Sequence, residues 1–167
     1  FTAYTYIEPF MIQIGHMDPN LATMILLVFG ISGVTASVIF NRLYRLGAAQ
    51  FIIHAILLLA LSLGFMLTSA GYTATMFALA FIWGIGISCI GLALQMRVLQ
   101  LAPDATDVAT AIFSGIFNAG IGAGALFGNQ IMRHVGLEYI GFSGAALAII
   151  ALGIFVLFNL RYRNQNI

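Results

Sequence analysis

One acid stands inside the apolar segments of this chain: Glu8, in the opening run FTAYTYIEPF. A carboxylate held in a bilayer is costly and is by default a functional candidate. Its chemistry suits the uptake and release of a coupling proton. Tyr4 lies one helical turn earlier on the same face, and Thr5 flanks it. Pro9 follows directly, lacks a backbone N–H and invites a kink at that point. The plainer reading has Glu8 reaching the outer interface or pairing with a basic residue elsewhere in a longer protein.

Other polar groups sit on helical faces rather than in catalytic clusters. Gly84, Ser88, Gly91 and Gln95 recur at three and four spacing and form one small, polar stripe. Close helix packing explains the glycines, while the Gln95 amide has donors and acceptors suited to a hydroxylated ligand. Trp83 lies deep in the same apolar segment, where its indole can stack on a sugar face. Asn118, with Ser114 one turn before it, is the polar candidate of the next segment, either for a ligand or for an interhelical hydrogen bond. Gly120, Gly124 and Gly128 recur every four residues on another face and let a neighbouring helix approach closely. Just upstream, Asp104 and Asp107 stand three apart at a helix start, like a capping box, with Asp104 expected as the cap and Asp107 in the first turn.

These residues need elements that cross a membrane. Charged residues are 7% of the 167, and apolar types are 62%; soluble domains carry about 25% charge. Mean hydropathy is +1.06. All six basic residues are Arg, and no basic cluster exceeds two, so nucleic acid is not an expected partner. Cys89 is alone and mid-segment, which excludes an internal disulfide and leaves no metal motif. No cofactor is expected. His54 and His134 sit near segment ends and His16 in a connection, where solvated roles fit.

Six spans can be placed near 1–14, 21–40, 49–68, 74–95, 108–129 and 139–160, giving an all-α, six-transmembrane-helix bundle as one domain over 1–167. Connections are short, so neighbours run antiparallel. The first span would rise only about 21 Å against a core of about 30 Å, so the chain reads as a piece of a longer protein that opens within a span. Glu8 would then lie about 9 Å from that span's outer end. Arg42, Arg45, Arg97, Arg161 and Arg163 fall on one side and Arg133 on the other. The first side is therefore cytoplasmic, with the C-terminus on it. Spans three and six are almost uniformly apolar, and two richer spans precede each. That pattern suggests a three-plus-three inverted repeat, a transporter habit.

The stretches FTAYTYIEPF at 1–10, FIWGIG at 81–86 and LAPDATDVATAIFSGIFNAGIGAGALFGNQ at 101–130 resemble the major facilitator superfamily. The match is to spans seven to twelve, the C-terminal half, of the twelve-span drug:proton antiporter group, and within it to the bacterial sugar efflux transporters. The loop Ser37-x-x-x-Asn41-Arg42-x-Tyr44-Arg45-x-Gly47 is similar to the superfamily's G-x-x-x-D-R-x-G-R loop. Arg42 and Arg45 match, whereas Ser37, Asn41 and Tyr44 depart from it. The resemblance implies proton-coupled efflux of sugars such as arabinose and thiogalactosides, by alternating access, across the bacterial inner membrane. It also implies a partner N-terminal half of six spans. The solute would meet Tyr4, Thr5, Glu8, Trp83, Ser88, Gln95 and Asn118, and Asp107 would gate the cytoplasmic mouth against the other half's basic loop.

Competing readings are multidrug efflux by the same fold and a rhomboid-like intramembrane serine protease. The latter rests on Gly30-Ile31-Ser32-Gly33, with no His deep in a later span to act as base. An aquaporin-type channel lacks its paired Asn-Pro-Ala half-helices here, since Pro occurs only at 9, 19 and 103.

Overall fold

A computed structural model describes residues 1–165, with side chains through Arg161; Arg163 lies outside the described side chains. Among the described residues every regular element is helical. A 3-10 turn at Tyr4–Tyr6 leads into α1 (Ile7–Gln13). Then come α2 (Pro19–Leu43), α3 (Ala48–Gly64), the short α4 (Met66–Ser69), α5 (Thr73–Leu101), α6 (Thr106–His134) and α7 (Ile140–Gln165). Four stretches are long and apolar enough to cross a membrane: Pro19–Leu46, Thr73–Leu101, Pro103–His134 and Leu137–Arg161. Long helices are what such sequences must form, because in hydrocarbon every backbone N–H and C=O needs an internal partner.

Helix ends depart from expectation in three places. The first segment is not one continuous helix, and the break is not at Pro9. It falls upstream at Tyr6, whose backbone (φ −110, ψ 10) joins the 3-10 turn to α1. Pro9 is the third residue of α1, within the first turn, where a backbone N–H has no intrahelical acceptor to lose. Asp104 does not cap α6: it lies in a 3-10 turn, Pro103–Ala105, and the N-cap is Ala105 with no side-chain bond. Asp107 does occupy the first turn of α6. The side-chain cap with a following proline occurs instead at α2, where Asp18 Oδ1 accepts from Asn20 N–H at 2.8 Å and Pro19 opens the helix. Third, α3 stops at Gly64, and Phe65 (φ −86, ψ 0) turns the chain into α4. Gly141 of α7 approaches this break so closely that an added Cβ would lie 2.7 Å from the Leu63 carbonyl oxygen.

The most extensive contact is between α2 and α5, and α3 packs on both α5 and α7, so α5 is the spine. At the α2–α5 seam Gly84 backs onto Ser32, which is fully buried and donates its hydroxyl to the Phe29 carbonyl. Gly33 faces Ser88. One buried cluster centres on Phe10, Ile25, Met66, Met76 and Ile140, and a second on Phe40, Phe51, Ile52 and Ala93. Several hydroxyls inside helices bond one turn back: Thr23 to Pro19 O at 3.0 Å, Ser37 to Gly33 O at 3.1 Å, Ser62 to Leu58 O at 2.7 Å, and Ser143 to Tyr139 O, in the turn before α7, at 3.0 Å. Among the described residues, side-chain hydrogen bonds between separate elements are Tyr6 Oη to Ala125 O at 2.9 Å and the weak Cys89 Sγ to Ala36 O at 3.8 Å.

The α6 glycines are not equivalent. A Cβ at Gly128 would lie 2.6 Å from Tyr6 Cε2 and 2.8 Å from Thr2 O, and one at Gly124 would lie 3.1 Å from Thr2 N. Gly120 has no neighbour within 4 Å among the described residues. At the end of α6, Gly136 (φ 129, ψ 149) adopts a backbone closed to other residues and donates its N–H to Ile131 O at 3.0 Å. These contacts set an expectation for the full-length protein in detergent. Gly128→Leu lowers thermal stability by about 1–3 kcal/mol through overpacking. Gly120→Ala, which meets no atom of the described residues, changes it by less than about 1 kcal/mol. Thermal unfolding of the two variants checks the difference.

Candidate solute-binding wall

The seam between α2 and α5 fixes an aromatic cluster. Tyr4, in the turn before α1, sits 4.9 Å from Phe29 of α2, ring centre to ring centre. Trp83 of α5 meets Phe29 edge-on at 5.3 Å and Tyr4 at 6.4 Å. Phe1 bridges to α6, with its ring 5.5 Å from Phe117, and Phe113 continues the row at 5.8 Å from Phe117. In front of this cluster lies an open cavity of about 280 Å³ walled by Tyr4, Phe29, Phe117, Ile87, Ser88 and Gly91, with Phe1 at its edge. Trp83 does not line it. The indole is 4% exposed and instead borders a second cavity of about 200 Å³ between α5, α3 and α7, with Leu59, Leu63 and Leu147.

The structure therefore brings Tyr4 and Ser88 to one wall and places Trp83 behind it. Glu8, Thr5, Gln95 and Asn118 are exposed, and none borders that cavity. Glu8 is in the first turn of α1. Thr5 bonds to Phe1 O at 3.2 Å. The Asn118 amide donates to Ser114 O at 2.9 Å, one turn back on its own helix and not on a neighbour. Gln95 is two turns beyond Ser88 on α5, about 10 Å by helical rise. Arg42 ends α2, and Arg45 lies in the turn Tyr44–Leu46. Asp107 and both arginines are exposed. His54 uses Nδ1 on Gln50 O at 2.7 Å.

Phe29 and Phe117 were missed as wall residues. Their sequence signal is slight: Phe29 comes just before the small pair Gly30 and Gly33, and Phe117 just before Asn118. Only the register of α2 on α5 turns Phe29 toward Tyr4. Aromatic faces beside two hydroxyls, Tyr4 Oη and Ser88 Oγ, suit a ring compound that is apolar on its faces and hydroxylated at its edge. The protease reading fails on geometry. Ser32 is fully buried, bonded to Phe29 O and covered by Gly84, and the intrahelical bond from His54 ties that ring to its own helix. The division between wall and support is testable in the full-length protein. Trp83→Ala lowers stability by about 3 kcal/mol or more, whereas Phe117→Ala, on the open side, changes it by less than about 1 kcal/mol. Thermal unfolding separates the two.

The description "Major Facilitator Superfamily" belongs to the family model that matches residues 1–166. A probable sugar efflux transporter of Haemophilus influenzae (strain PittGG) is 64% identical over 164 residues, covering 98% of this chain and 41% of that protein. Proteins so described in Mannheimia succiniciproducens and Helicobacter pylori (strain HPAG1) are 56% and 51% identical, covering 97% and 91% of this chain and 41% and 39% of theirs. The chain thus spans about two fifths of the length of the curated relatives it matches. With its long apolar helices and this match along nearly its whole length, the chain is part of a multi-pass membrane protein and belongs to the major facilitator superfamily of transporters.

Proposed function

We propose that this chain is the C-terminal, six-span half of a proton-coupled sugar efflux transporter of the bacterial inner membrane, exporting arabinose-like sugars or thiogalactosides by alternating access. The observation that carries the reading is 64% identity, over nearly all of this chain, to a protein described as a probable sugar efflux transporter. The geometry adds support. The apolar window of α6 is 6% buried, against 22–33% for the other three long stretches, and has the lowest mean hydropathy of the four. A helix that carries Ser114, Asn118 and the exposed Gly115, Gly120 and Gly122 on an uncovered surface fits a second protein wall better than lipid. In transporters built from repeats the solute binds near the midplane between such walls. Here Tyr4, Ser88, Phe29 and Phe117 form this half's wall. Thr5, Glu8, Gln95 and Asn118 extend the polar contacts around it, and Trp83 holds the wall in place. Five of the six arginines falling on one side support a cytoplasmic C-terminus.

In this reading Glu8 carries the coupling proton, as the acid within the first span. Glu8→Gln keeps the shape and removes the titration. In vesicles bearing the full-length transporter it abolishes uphill, proton-driven sugar movement by at least tenfold and leaves downhill exchange. Unchanged pH-driven accumulation in the variant rules Glu8 out as the carrier.

Asp107 serves as a cytoplasmic gate. Asp104 does not cap α6 and Asp107 is exposed in its first turn, so its carboxylate is available to an arginine of the other half when the cytoplasmic mouth closes. That contact favours the outward-open state, and losing it shifts the population inward. Paired spin labels across the cytoplasmic mouth measure the shift. Asp107→Asn raises the inward-open fraction, and identical distance distributions in variant and wild type reduce Asp107 to a favourable charge at a helix start.

A further inference from the structure

A cleft of about 450 Å³ runs along the outside of the bundle between α2 and α3, floored by α5. Ile39 and Leu43 form the α2 wall, Leu57 and Leu61 belong to α3, and Ile85 lies on the floor, with His54 the one strongly polar side chain. Along α3 the lining extends from Phe51 to Leu61, about 15 Å by helical rise, which is the depth of one leaflet of a core about 30 Å thick. The cleft's lining reaches Leu43 in the last turn of α2 and Phe51 in the first turns of α3, near the arginine-bearing connection. Leu43, which lines it, lies between Arg42 and Arg45 in sequence, and both guanidinium groups are exposed. No Asp or Glu occurs anywhere from Pro19 to Pro103, so α2, α3 and α5 offer these two charges no acidic partner.

We propose that this cleft holds an acyl chain of an anionic phospholipid from the leaflet on the arginine side, with the headgroup phosphate on Arg42 and Arg45. The apolar walls match the chain, and the arginine pair, which no acid on α2, α3 or α5 offsets, matches the headgroup. His54, one to two turns after the start of α3, lies on the lining with its Nδ1 bonded to Gln50 O. This role is separate from solute transport, because the cleft lies on the far side of α5 from the Tyr4 wall, lined by Cys89 and Ile85 rather than Ser88 and Gly91.

The test uses the full-length transporter released from nanodiscs of equal phosphatidylglycerol and phosphatidylcholine into a native mass spectrometer. The wild type retains phosphatidylglycerol over phosphatidylcholine at least fivefold. The double variant Arg42→Gln, Arg45→Gln loses that preference at least fivefold with an unchanged melting temperature. Leu57→Trp, a swap at an exposed lining position, lowers retention of both lipids by obstructing the cleft. Equal retention of phosphatidylglycerol by wild type and double variant overturns the proposal. So does a Leu57→Cys variant that cross-links to the transporter's other half, since protein rather than lipid then covers the cleft.

Discussion

The close approach of α2 and α5 at Gly84 governs the rest of the molecule. With no side chain at Gly84, the Ser32 hydroxyl and the Phe29 carbonyl can come against the α5 backbone. In hydrocarbon there is little hydrophobic gain from joining helices, so contact area and close backbones must hold them. This seam is the most extensive in the bundle. It sets the rotation of α2, which directs Phe29 onto Tyr4 and Trp83. Through Gly33 it also places Ser88 beside them. Move the seam by one residue and the aromatic wall loses its α2 member.

Much of the architecture was legible because a bilayer leaves few options. Charge-free runs of about twenty residues must be helices, and every regular element of the described residues is helical, with four stretches long and apolar enough to cross a membrane and a shorter apolar helix at Ala48–Gly64. Turn residues marked the connections better than the arginines, since Arg45 lies in a connection but Arg42, Arg97, Arg133 and Arg161 fall inside helices. Local ends were less legible. Asp104 and Asp107 have capping-box spacing, but Pro103 opens a separate 3-10 turn and shifts the start of α6 past Asp104. Pro9 is the usual mark of a kink, yet it falls in a first turn where it disrupts nothing.

The site was legible in its residue types more than in its arrangement. Tyr4 and Ser88 stood out as polar groups on helical faces, and both reach the wall. Trp83 stood out equally, but its indole is buried behind Tyr4 and Phe29 and borders the cavity between α5, α3 and α7, which takes it off the wall surface. Phe29 and Phe117 are two of fourteen phenylalanines, and composition cannot rank one above another. Their prominence comes from the register of helices far apart in sequence. Glu8, Gln95 and Asn118 are exposed and stand apart from the cavity beside Tyr4.

The self-bonded hydroxyls have a consequence for biogenesis. Thr23, Ser37, Ser62 and Ser143 each return their proton to a carbonyl one turn back, so those helices need no neighbour to quench these polar groups. For these four hydroxyls, entry into lipid needs no polar partner from a neighbouring helix. Assembly is then a later sorting of prebuilt rods by shape, in which the glycine faces at Gly84, Gly128 and Gly141 act as keys. The Tyr6 bond to Ala125 becomes a late latch rather than a nucleus.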